Sequence, residues 1–163
     1  MAPGAWLAGA AAAALAAGAL RPVTALELSN TSRGRTVRLP LAAGQVFSVT
    51  SRHSIYDQPV TEEFSVEADG RIALRAVESP SAAVREYLGL TGAGERQPVE
   101  RVMERIVFRV AMGAPQALGL GGRERSFLEF GEHGDRLVLR AVRGPAAARW
   151  LATCLRAGNG ALE

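Results

Sequence analysis

Lysine is absent: all 19 basic residues are arginine, set against 16 acids. Arginine stays protonated throughout the physiological range, so the sequence pI of about 9.9 reflects that high pKa rather than a basic patch. Arg101, Arg105 and Arg109 do recur every four residues, but Glu100 and Glu104 interleave with them. That is the pattern of a solvated, salt-bridged face, and it sets nucleic acid aside as a partner. Cysteine is nearly absent as well. The lone Cys154 excludes an internal disulfide, and no cysteine follows the apolar N-terminal run as a lipoprotein would require. Histidine occurs only at His53 and His133, with no second ligand at matching spacing, so neither a metal nor another cofactor is expected. No Gly-x-Ser-x-Gly elbow exists either.

What the chain has in excess is apolar residues, 48% of the total, and its N-terminus inflates that figure. The run AWLAGAAAAALAAGAL (5–20) carries neither charge nor polar side chain. It is shorter and richer in alanine than the roughly 20 strongly apolar residues of a membrane span. Val23-Thr24-Ala25 follows, a small-x-small pattern that a signal peptidase accepts. Two readings stand: a signal peptide over 1–25 cleaved after Ala25, or an uncleaved N-terminal anchor, because only the chain's own amino group is positive ahead of the run. Both place the protein in the periplasm or another extracytoplasmic compartment. Membrane contact is expected only if the anchor is retained.

Beyond Ala25 the strand period of two dominates. Residues 25–30 and 35–41 flank a turn at Ser32-Arg33-Gly34 and read as a hairpin. Further strands are expected over 46–55, 59–67, 71–78, 105–111, 116–122, 123–130 and 136–142, with 99–104 ambiguous. Residues 79–90 read as two helical turns capped by Ser79 or Ser81, followed by a loop over 91–98. Pro145 opens a tail (143–163) read as a short helix with Trp150, Leu151, Cys154 and Leu155 on one apolar stripe. The expected fold is all-β: a small antiparallel sandwich or partly open barrel of seven to nine strands over 26–142, with one or two short helices.

One polar cluster is placed rather than scattered: SRHSIYDQPVTEEFSV, residues 51–66. A four-residue turn at 56–59 pairs Ile55 with Val60, and therefore Val49 with Val66, Ser51 with Phe64 and His53 with Glu62. The apolar sets then share one side, and the imidazole faces the carboxylate at its rim. Three uses are open: a brace that locks the hairpin, a ligand or partner site, and a hydrolase with His53 and Glu62 as acid and base. Ser54 adjoins His53 and so points to the opposite face, which removes it as a nucleophile for that pair.

These residues carry a resemblance. GQVFSVTSRHSIYDQPVTEEFSV is similar to the signature of the domain-of-unknown-function family eighteen-fifty, with His53, Ser54, Pro59, Val60 and Glu62 matching position by position. LGLGGRERSFLEF and GDRLVLRAV are similar to that family's closing strands. The resemblance covers roughly 26–142. It departs from the family at 79–98, where the Gly-Ala-Gly segment (92–94) comes late, after an apparent insertion. It implies an exported bacterial domain, commonly encoded beside TAXI-type tripartite (TRAP) transporters. The expected role is that of a non-enzymatic accessory or binding module, with the TRAP permease or its solute-binding protein as partner. An exported hydrolase and a purely structural envelope protein are the alternatives.

Overall fold

A computed structural model describes residues 22–41 and 44–145. One compact unit, Ala25–Val142, contains the architecture that follows. The apolar run at 5–20 and the 146–158 part of the expected tail helix, with its Trp150 stripe, lie outside the described residues.

Ten strands form. They are β1 (Pro22–Asn30), β2 (Arg35–Leu41), β3 (Phe47–Arg52), β4 (Pro59–Val66), β5 (Ile72–Glu78), β6 (Arg96–Met103), β7 (Ile106–Arg109), β8 (Ala117–Leu120), β9 (Arg123–Ser126) and β10 (Arg136–Pro145). Among the described residues a single short helix, α1 (Ala82–Tyr87), and a 3-10 turn (Phe127–Glu129) accompany these strands. The strands make two antiparallel sheets, in the orders β2-β1-β10-β7 and β6-β5-β4-β3-β8-β9. The chain is therefore all-β and sandwich-like, with no closed barrel. Each sheet buries one face, which is why alternation was so clear in the sequence. Leu26, Leu28, Leu137 and Leu139 from the first sheet share a core with Phe47, Val49, Phe64, Ile72 and Leu118 from the second.

Several boundaries differ from expectation. Residues 96–103, split between loop and an undecided stretch, form edge strand β6 on β5. The strand expected over 123–130 stops at Ser126, where a capping box begins the 3-10 turn. The Ser126 hydroxyl accepts from the Leu128 amide, and Glu129 accepts from the Ser126 amide. β10 continues to Pro145, three residues past its expected end at 142. β1 already starts at Pro22, so cleavage after Ala25 would remove its first four residues. Helix α1 does form, with Ser81 rather than Ser79 as its cap. The β8–β9 link is a two-residue turn in which Gly121 (φ 61°) and Gly122 (φ 75°) occupy a left-handed region that side-chain-bearing residues rarely enter.

Antiparallel order sends alternate strand ends to opposite poles. The segments 31–34, 53–58, 79–95, 110–116 and 127–135 all gather at one end, here called the loop end. The turns at 67–71, 104–105 and 121–122 occupy the other pole.

Two ionic clusters tie the four-stranded sheet together. Glu27 is buried on β1, where burial pushes its pKa up. Hydrogen bonds from Arg140 (2.7 Å) and Arg38 (2.8 Å) outweigh that and hold it below the ordinary value. At the loop end, Asp135 Oδ2 accepts from the Glu132 amide (3.0 Å), Asn30 Nδ2 (2.8 Å) and Arg33 Nε (2.7 Å). The backbone bond from Glu132, then those from Asn30 and Arg33, lower its pKa from 3.8 to about 2.

A carboxylate whose folded pKa is depressed stabilises the fold above its unfolded value and loses that contribution as pH falls through the folded one. For Asp135 the window runs from about pH 4 down to about pH 2. Asp135→Asn should lower the urea midpoint at pH 7 and flatten its decline across that window. An unchanged pH profile would show that the cluster contributes nothing.

Candidate functional site

The His53 loop closes differently from its expected form. β3 ends at Arg52, which pairs with Pro59, so residues 53–58 form a six-residue loop. The register places Phe47 opposite Phe64 and Val49 opposite Glu62. Relative to the expected pairing every partner has moved by four positions, an even shift that leaves each side chain on its original face. His53 is therefore not opposite Glu62. It lies four positions beyond Val49, about 13 Å along the strand direction at ~3.3 Å per residue. The paired brace and the paired acid–base site are both set aside by this geometry.

Two features select the observed register. The Phe47 and Phe64 rings stack at 5.2 Å with an interplanar angle of 16°, an aromatic pair that only this pairing brings face to face. Arg52 then closes the loop, with its Nε 2.7 Å from Asp57 Oδ1 and its Nη2 on the Asp57 carbonyl. Asp57 sits at φ 50°, a left-handed conformation that aspartate tolerates better than most residues. The His53 amide donates to the Gln58 carbonyl and its own carbonyl accepts from the Asp57 amide, both at 2.8 Å.

This closure turns the His53 ring toward α1. The imidazole stands edge-on to Tyr87 at 4.7 Å and tilted against Tyr56 at 5.3 Å. Both tyrosines are exposed, Tyr87 by 59%. Ser54 is exposed beside them. Pro59 opens β4, and its carbonyl accepts from the fully buried Ser79 hydroxyl at 2.8 Å. The same hydroxyl accepts from the Ser81 amide at 3.4 Å. The Ser79 amide donates to the Glu95 carbonyl (3.0 Å), and its carbonyl accepts from Arg85 Nη1 (2.7 Å). Gln97 pins the Gly-Ala-Gly segment in the same way. Its Oε1 accepts from the Gly92 amide (2.8 Å), and its Nε2 donates to the carbonyls of Gly92 (2.7 Å) and Gly94 (3.2 Å). The segment 79–98 is thus an ordered cap over one end of the six-stranded sheet.

Glu62 stands apart from that cap, between Val49 and Val77 on neighbouring strands. It is half-buried, and its carboxylate accepts no hydrogen bond among the described residues. Burial raises its pKa, and the Arg101 charge offsets this only in part. Of the four predicted site residues, the structure brings His53, Ser54 and Pro59 to one loop and leaves Glu62 away from it. Tyr56, Tyr87, Ser79 and Gln97 belong to the site and were missed. Tyr87 had a readable signal, a large aromatic on a short helix whose only buried residue is Val84. Among the described residues no group of three or more His, Cys, Asp or Glu side chains is arranged to hold a metal.

No family model, no curated protein and no solved structure matches the chain.

The double-mutant cycle His53→Ala with Glu62→Ala should be additive within about 0.5 kcal/mol, because side chains without contact or shared partners do not couple. A coupling energy of about 1 kcal/mol or more would contradict the observed register. Glu62→Gln should raise the urea midpoint at pH 7. A carboxyl whose folded pKa exceeds its unfolded value costs stability when ionised, and the cost vanishes as acid protonates it in both states. The gain should therefore shrink as pH falls toward 4.5, the ordinary value, and be largely gone below it. A loss of stability at pH 7 would show that Glu62 has a favourable partner.

Proposed function

We propose that this protein is an exported, non-enzymatic binding module that serves a TAXI-type TRAP transporter. It contacts the permease or the solute-binding protein through the His53 loop. The observation that carries this reading is the position of the signature histidine, held between Tyr56 and Tyr87 on an accessible aromatic surface. Tyrosine presents a large amphipathic contact area at small entropic cost, and it is enriched at the energetic centres of protein interfaces. Export is supported by the uncharged run at 5–20, whether residues 1–25 are removed or kept as an anchor. The hydrolase alternative loses its geometry, because Glu62 does not face His53.

The test is binding of the full chain to the TAXI-type solute-binding protein and to the detergent-solubilised permease of the same organism. One of the two should bind. Tyr87→Ala should weaken that complex at least about tenfold, the usual cost of truncating a central tyrosine, with an unchanged far-UV spectrum. Failure to bind either component would refute the transporter role.

A further inference from the structure

Alternation gives the four-stranded sheet two faces. Leu28, Leu39, Phe108 and Leu139, one from each strand, turn to the core. Their neighbours turn outward: Glu27 on β1, Arg38 on β2, Arg109 on β7, and Arg136 and Arg140 on β10. All four arginines are exposed. Glu27 is the only acid on that face among the described residues, so four guanidiniums stand against one carboxylate. The positions are contiguous. Glu27 joins Arg38 to Arg140 across β1, Val107 pairs with Val138, and Arg109 pairs with Arg136. No run in the sequence shows this surface, because its arginines come from three strands.

The excess charge is not neutralised within the fold. Like charges directly opposite each other on antiparallel strands destabilise the pair. Arg109 and Arg136 are in that position, and among the described residues neither has an ion pair; Arg109 reaches only the Gly134 carbonyl, at 3.3 Å. On the six-stranded sheet, by contrast, Arg75 holds Glu67 and Arg96 holds Glu63. Guanidinium forks match phosphate oxygens in charge and geometry. We infer that this outer face is a docking surface for the phosphate headgroups of an anionic bilayer.

Extent and connection select that occupant. Three strand spacings of ~4.8 Å separate β2 from β7, and four residues at ~3.3 Å separate Arg136 from Arg140. A lone phosphate does not span such a field, whereas an array of headgroups does. Val107 and Val138, the apolar pair among the arginines, have short side chains, so contact is electrostatic adsorption without deep insertion. Arg21 alone separates the uncharged run 5–20 from Pro22, where β1 begins. A run that meets a bilayer therefore brings this sheet with it, which favours a bilayer over an acidic protein. The inference is independent of the partner proposed for the His53 loop.

The test uses the full chain with Cys154→Ser and a fluorophore attached through Val107→Cys. The control carries the label through Val46→Cys, an exposed position next to β3 of the other sheet. Vesicles contain a lipid with a headgroup nitroxide, in equimolar phosphatidylglycerol and phosphatidylcholine or in phosphatidylcholine alone. The label at 107 should be quenched only on the anionic vesicles, and the label at 46 on neither. Quenching should vanish at about 1 M salt, where the screening length falls to about 3 Å. Arg109→Gln with Arg136→Gln should raise the lipid concentration for half-maximal quenching about 25-fold, roughly fivefold for each arginine, while the urea midpoint holds or rises. Equal quenching on the neutral vesicles, equal quenching at 46, resistance to salt, or indifference to the double substitution would each overturn the inference. No quenching on either vesicle would also overturn it and leave an acidic protein as the occupant.

Discussion

The stack of Phe47 on Phe64 is the contact on which the functional end of the molecule depends. Both rings are fully buried, and each comes from a central strand of the six-stranded sheet. Their pairing sets the β3–β4 register, and the register decides how many residues are left over between the strands. Six remain, which is enough for Asp57 to enter the left-handed region and for Arg52 to clamp it. His53 is thereby released from the sheet and delivered to Tyr87. Removing either ring would cost about 3–5 kcal/mol on general grounds. It would also free the hairpin to slip by an even number of residues at little cost to the apolar pattern.

The remaining loops of that end are held by polar side chains that act on backbone. Ser79 links β4, α1 and the segment before β6, Gln97 holds the two glycines of 92–94, and Asn30 with Asp135 joins the first hairpin to the approach to β10. Among the described residues no buried side-chain nitrogen or oxygen lacks a partner, so these networks do not carry the penalty of a half-satisfied one. They also leave Tyr56 and Tyr87 exposed. A surface ordered in advance loses less conformational entropy when a partner arrives. That links a stabilising feature of the fold to its proposed use in binding.

Glu62 runs against this economy. It occupies the core-facing side of β4, where Val60 and Phe64 are buried to either side of it, with only the distant attraction of Arg101. Nothing in the structure explains a carboxylate at that position, where burial pushes its pKa up. Perturbed titratable groups without a structural partner cluster at functional sites, so Glu62 is a residue to watch in any complex.

Alternation and turn residues were enough to reveal the all-β class, the first hairpin, β4, β5, β8 and most of β10, because each has one buried and one solvated face. Ser81 was legible as a helix cap because its side chain bonds its own backbone three residues on, whereas the Ser126 capping box lay inside a stretch whose alternation read as strand. Strand β6 was not, because an edge strand with Pro98 and a bulge opposite it has no clean period. The candidate site was half legible. The sequence by itself determined which residues face the core, but its period carried His53 and Ser54 along the strand and left only Pro59 in the turn. Only the tertiary structure decided that Glu62 is not their partner and that Tyr87 is. The period of a strand is two, so every even register satisfies the same pattern. The choice among them falls to a ring stack and a loop clamp formed between residues distant along the chain.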